Sequence, residues 1–164
     1  MSWSTLKKGL LRLLLLLLLY FLQADVFPHL RVLGVCPLPL PLAAVAIGLF
    51  EGGLTGGLWG LLAGVLCDLA TGNGFAFTLL LCCAGFFSGF LGEFIMARSL
   101  PSLLLLGAVV ELLSGLILQL PVLLAGSAPA ASLALSLGVG ILYSLLFTLL
   151  VYPAVRGLSR PRRR

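Results

Sequence analysis

Residues 48–68 read GLFEGGLTGGLWGLLAGVLCD, with a glycine at every fourth position, Gly48, Gly52, Gly56, Gly60 and Gly64, and Asp68 in the next place of the row. Positions four apart lie on one helix face, one turn above another. The row therefore predicts a flat groove, free of side chains, into which a neighbouring backbone fits. Each glycine costs about 1 kcal/mol relative to alanine inside a helix, so a row this regular needs a compensating contact. Gly85, Gly89 and Gly92 give the next apolar segment a comparable surface.

Composition sets the solvent in which that groove works. Hydrophobic residues make up 61% of the 164 and charged residues 9%, the signature of a polytopic membrane protein. In lipid, apolar surfaces gain little by meeting, so close backbone packing and interhelical hydrogen bonds carry helix association. The expected fold is all-α, a polytopic membrane helical bundle of about six transmembrane helices, with a short second and third helix. It resembles the substrate-binding (S-component-like) bundles of transporters. The whole chain, residues 1–164, reads as a single integral membrane domain, with a basic N-terminus over about residues 1–8 and a basic tail over about residues 154–164.

Crossing a bilayer takes about 20 helical residues. Four segments meet that length: Gly9–Phe27, Phe77–Ala97, Ser102–Ala125 and Ser132–Tyr152. Residues 37–71 are too long for one span and short for two. Charge arbitrates, because loops and tails on the cytoplasmic side are enriched in Lys and Arg. Both chain ends are basic, so both are expected inside and the number of crossings is even. Two short helices, Leu42–Glu51 and Gly57–Ala70, joined by the glycine-rich GGLTG, satisfy that parity; a re-entrant hairpin satisfies it equally. Six spans place Lys7, Lys8, Arg12, Arg98, Arg156, Arg160, Arg162, Arg163 and Arg164 inside and Arg31 outside. The apolar run after Lys7 and Lys8 has Leu22 two before Ala24, where a cleavable signal carries a small residue, so it reads as an uncleaved first span.

The breakers fit this scheme. Pro37, Pro39 and Pro41 predict an extended external approach to the second span, and TGNG, RSLP and GSAPAA predict turns. Pro121 and Pro153 fall near helix ends, where a missing donor is tolerated. Cys36, Cys67, Cys82 and Cys83 have no C-x-x-C spacing and His29 has no clustered ligands, so neither a metal site nor a disulfide framework is indicated. The basic residues lack the interleaved aromatics of a nucleic-acid surface and read as membrane anchors. No nucleophile with a base, metal cluster or phosphate loop marks an enzyme, and no cofactor is expected.

Two carboxylates stand out. Asp68 lies about one turn from TGNG, as an intramembrane functional candidate or as a carboxylate satisfied by turn amides; the second reading is preferred. Glu111 lies about ten residues into its span, near the midplane, where an acidic residue costs ~3 kcal/mol to insert. It is expected to face the bundle interior, with Ser114, Gln119, Tyr143, Ser144, Thr148 or a partner's polar group to meet it, or to be neutral with one hydrogen bond. Glu51, Glu93, Asp25 and Arg31 read as solvated helix ends. The glycine row, Gly48, Gly52, Gly56, Gly60 and Gly64 with Gly85 and Gly89, is expected to serve helix packing, with one face available to a partner.

The ordered set Gly60, Gly64, Asp68, Gly72 and Gly74, followed by an apolar helix with Gly85 and Gly89, resembles MreD, the rod shape-determining membrane protein family of bacteria. The match covers roughly residues 40–95, and PLPLP departs from the polar Pro-Asp approach common in that family. The resemblance implies a non-enzymatic scaffold of the elongation machinery in the inner membrane, with both termini cytoplasmic. Its implied partners are MreC, and through it MreB, together with RodA and a class B penicillin-binding protein; no nucleic acid or small-molecule substrate is expected. The alternative, from another class, is the vitamin-binding subunit of an energy-coupling transporter. A proton-linked channel through Glu111 and Asp68 is disfavoured by their different depths.

Overall fold

The computed structural model describes residues 3–26, 29, 38–72, 74–94, 99–126 and 130–159. Helix α1 spans Trp3–Phe21 and runs on into a π-helical turn, Leu22–Val26; α2 spans Pro39–Glu51, α3 Gly53–Thr71, α4 Ala76–Phe94, α5 Leu100–Leu124 and α6 Ala130–Ser159. Arg31, Cys36, Pro37, Asn73, Arg98, residues 127–129 and the tail from Arg160 lie outside the described residues, as does the side chain of Arg156. The chain is an all-α bundle, and α3, α4 and α5 are each long and apolar enough to cross a membrane, which makes it a membrane protein by length and composition.

The bundle is organised around α2. Its sequence, PLPLAAVAIGLFE, offers no polar face, and a helix that is apolar all round belongs in an interior. Every residue from Pro39 to Leu49 is buried. The helix touches all five others, which follow one another around it in the order α1, α3, α4, α5, α6. Ala43, Ala44, Ala46 and Gly48 keep α2 thin enough for that ring to close. The α3–α4 pair is the most extensive contact, and α1 has the thinnest joints to its neighbours. Much of α1 faces outward through Leu10, Leu14, Leu18 and Phe21, with Leu16 and Leu19 turned in.

Two local expectations are corrected. Pro39 and Pro41 stand in the first turn of α2 instead of an extended approach, where a helix has no partner for those amides anyway. The GGLTG linker is likewise largely helical, because α3 begins at Gly53 and runs for 19 residues. The connection between α2 and α3 is Gly52 alone, at φ 104° and ψ 166°, a region open essentially to glycine. Gly52 N–H still donates to Gly48 O, and Gly56 N–H to Gly52 O, both at 2.9 Å. The hydrogen-bonded register therefore continues through the bend. Gly52→Ala is expected to destabilise the bundle by about 1–3 kcal/mol, read as a lower midpoint in detergent-mediated unfolding; an unchanged midpoint would show that the bend tolerates a side chain.

Both described ends of the chain lie at the same end of the bundle. Arg12, midway along α1, pairs with Glu51 at the close of α2, so the N-terminal half of α1 continues past that end of α2, and Tyr152 in the last part of α6 packs on Phe50 with ring centroids 5.8 Å apart. At the opposite end, Gln23 meets Cys67 at 3.9 Å.

Candidate functional site: a glycine seam, a capping aspartate and a buried glutamate

The glycine row is shared between α2, the bend and α3, and it is covered by α4. Partner numbers fall as the row climbs, the mark of an antiparallel pair. A methyl group on Gly64 would stand 2.7 Å from Phe77 O, one on Gly60 2.9 Å from the Leu81 carbonyl carbon, one on Gly85 2.8 Å from the Gly56 carbonyl carbon, and one on Gly89 2.5 Å from Gly53 Cα. These are separations that no Cβ adopts. At the centre three backbones converge: a methyl group on Gly56 would lie 2.5 Å from Gly48 Cα and 3.0 Å from the Gly85 carbonyl carbon. Ser88 closes the same spot, its hydroxyl donating to Gly85 O at 3.0 Å. Gly48, Gly52, Gly56, Gly60, Gly64, Gly85 and Gly89 are all buried against the chain's own helices.

Asp68 closes the far end of this seam. Its Oδ1 accepts Phe77 N–H at 3.0 Å, and its Oδ2 accepts Thr78 N–H at 2.8 Å and the Thr78 hydroxyl at 2.6 Å. Phe77 and Thr78 lie in the first turn of α4, where backbone amides have no partner within the helix and the helix dipole favours a negative charge. The Asp68 carbonyl accepts Gly72 N–H at 2.8 Å, with Gly72 in the left-handed conformation at φ 71° and ψ 18°. One residue thus ends α3 through its backbone and begins α4 through its side chain. Thr78, the third member of this arrangement, was not foreseen from sequence; its signal is a hydroxyl residue at the third position of a helix that opens just after a Gly-rich turn.

Glu111 is 4% exposed and faces inward from α5. The hydroxyl of Ser144 on α6 hydrogen-bonds its carboxyl and accepts the backbone N–H of Leu38, the residue that opens α2, at 3.2 Å. Ser114 and Thr148 are buried on the same two helices. Gln119 is engaged elsewhere, donating to Ser136 Oγ at 2.8 Å, and Tyr143 packs edge-on against Phe147. Glu111 Oε1, Ser114 Oγ and Thr148 Oγ1 are enclosed with no hydrogen-bond partner.

The remaining charges divide. Glu51 is no solvated end: its side chain is 10% exposed and forms an ion pair with Arg12, because α1 runs beside the C-terminus of α2, whose dipole also favours a cation. Arg12, read from sequence as part of the basic anchor, is drawn inward by that pairing. Glu93 and Asp25 are exposed, and His29 meets the Asp25 carbonyl at 2.8 Å. Among the described residues, no group of three or more His, Cys, Asp or Glu could hold a metal ion. The outer side of the α3–α4 pair carries an apolar groove lined by Leu54, Gly57, Leu58, Leu61, Phe86 and Phe87.

No family model, curated protein or solved structure matches the chain. Fold and site together define a helical membrane bundle locked by backbone-to-backbone contact.

Proposed function

We propose that the protein is a non-enzymatic membrane scaffold of the MreD type, organising lateral cell-wall synthesis and rod shape through association with MreC. The observation that carries this reading is the α3–α4 hairpin. Of the residues of the resemblance, Gly60, Gly64, Gly85 and Gly89 bring its two backbones together, Asp68 and Gly72 fix its turn, and Gly74, at φ 69°, lies in that turn without a packing contact. Their chemistry is packing and capping, which suits a part whose work is to hold other membrane helices in place. Because the glycine seam is covered by the chain itself, the surface left for a partner helix is the apolar outer face, and the groove floored by Gly57 supports it. MreB would be reached indirectly through MreC, with RodA and a class B penicillin-binding protein in the same assembly.

In this reading the helices cross the inner membrane six times with both termini cytoplasmic. The shared position of the two chain ends and their basic composition support that topology. Reporter fusions should be active in the cytoplasm at both ends; an external C-terminus would refute the arrangement. The function is tested by co-purification of the tagged full chain with MreC, by crosslinking from the exposed Cys83 beside the groove, and by depletion. Recovery of MreC and rounding of rod cells are expected. Normal rods on depletion, with stabilisation of the purified protein by a vitamin, would establish the transporter subunit instead.

A further inference from the structure

We propose that the outer face of α1 is a site for an anionic phospholipid, with the phosphate at Lys7 and Lys8 and one acyl chain laid along Leu10, Leu14, Leu18 and Phe21. The site lies on a helix that takes no part in the glycine seam, so its failure would leave the scaffold reading standing.

The first turns of α1 and the π-helical turn that follows it divide into two opposite faces. Arg12, Leu16, Leu19 and Gln23 recur at three- and four-residue steps and turn inward, the first to Glu51, the last to Cys67 and the two leucines into the core. Lys7, Leu10, Leu14, Leu18 and Phe21 recur at the same steps on the other side of the helix, and all five are exposed. At 1.5 Å per residue the row from Leu10 to Phe21 is about 16 Å long, which matches one leaflet of a hydrocarbon core ~30 Å thick. The joints of α1 to the other helices are the thinnest in the bundle, and this face is left to lipid.

The head of the row is cationic. Arg12 pairs with Glu51 at the end of α2, and Lys7 and Lys8 stand on the part of α1 that continues past that end. Lys7 is exposed above the apolar row and Lys8 is half-buried beside it. Because the Arg12 and Glu51 charges cancel, the two lysines make this end of the helix positive. α1 opens one turn earlier, at Trp3, and first-turn amides, which have no partner within a helix, add positive partial charge. The end of α6 lies at the same end of the bundle, and the sequence continues from it through Arg160, Arg162, Arg163 and Arg164. A cation above an apolar row one leaflet long is the complement of a phosphate above an acyl chain. An acidic protein segment would meet the lysines and leave the row uncovered, whereas a zwitterionic lipid would cover the row but bring its own cation to the lysines.

The test titrates the purified full chain, in a neutral detergent, with phosphatidylglycerol, with phosphatidylcholine of the same acyl chains, or with inorganic phosphate, and follows the thermal unfolding midpoint. Phosphatidylglycerol should raise it saturably, by about 3–6 °C at ten times its dissociation constant. Phosphatidylcholine should give a smaller rise and inorganic phosphate none. Replacing both lysines, Lys7→Gln with Lys8→Gln, should weaken phosphatidylglycerol binding about thirtyfold, each cation near an anionic headgroup contributing about fivefold. Equal responses to the two lipids would overturn the proposal, as would a rise reproduced by inorganic phosphate. A phosphatidylglycerol preference that the lysine pair leaves intact, and that disappears when the four tail arginines are replaced by glutamine, would place the lipid on the tail and refute the α1 site. A Leu14→Cys chain in liposomes should form no more disulfide-linked dimer than the parent; a clear excess would give the row to a second copy of the chain instead.

Discussion

Gly85→Leu should leave the chain unable to assemble its bundle. Gly85 lies where α4 packs into the cleft between α2 and α3, one turn from the bend that Gly89 meets, with Gly56 on one side and Gly48 on the other. The atoms that a new side chain would meet first are backbone carbonyls, and backbone in three packed helices cannot rotate away as a flexible side chain can. Ordinary overpacking costs about 1–3 kcal/mol; here α4 would have to separate from two helices at once, so the expected loss exceeds that range. Gly60→Leu and Gly64→Leu act on the same seam nearer its Asp68 end, with Leu81 and Phe77 as the backbones displaced. The matched control is Gly138→Ala in α6, where an added methyl meets nothing within 4 Å and helix propensity predicts a gain of up to about 1 kcal/mol. Size-exclusion profiles and unfolding midpoints in one detergent measure the contrast. A monodisperse Gly85→Leu protein with the parent's midpoint would show that the seam does not hold the helices, and the scaffold reading would lose its physical basis.

How much of this was legible beforehand follows from what each residue needs. The glycine row could be read because its spacing is a helical period, and the membrane solvent because composition is unambiguous. The bend falls within the expected GGLTG, with α2 ending at Glu51 as read from sequence, but its confinement to Gly52 alone could not be read, since the hydrogen bonds Gly48 O to Gly52 N and Gly52 O to Gly56 N carry the period through it unbroken. The prolines misled in the other direction: Pro39 and Pro41 disfavour helix in the residue before them, yet both sit in a first turn that needs no amide. The central place of α2 was visible only as a uniformly apolar segment too short to span; a helix walled in by protein has no bilayer thickness to match. At Glu111, Ser144 was among the anticipated partners, but Leu38 N–H was not, because a backbone amide leaves no mark in sequence. The Arg12–Glu51 pair was missed for a similar reason, since nothing along the chain says that α1 lies against the end of α2.

Asp68→Ala is the second substitution expected to have a large effect, and it tests the turn instead of the seam. It removes the acceptor for Phe77 N–H, Thr78 N–H and the Thr78 hydroxyl together, while Gly72 N–H keeps its bond to the residue's backbone carbonyl. The end of α3 should therefore survive and the start of α4 should fray. Hydrogen bonds to a charged group contribute about 1.5–3 kcal/mol each, and Asp68 is 8% exposed, so water can replace them only in part. A loss of about 3 kcal/mol or more is expected. Thr78→Val removes one of the three donors and should cost about 1 kcal/mol. Asp68→Asn keeps one acceptor oxygen but turns an amide donor toward other donors, and it should fall between the two. Unfolding midpoints give the order, and limited proteolysis across residues 72–76 gives the location, with cleavage rising in Asp68→Ala before global unfolding. If Asp68→Ala matches the parent in both measurements, the carboxylate is dispensable to the fold, and its position in an apolar helix would then have to be explained by a partner that binds it.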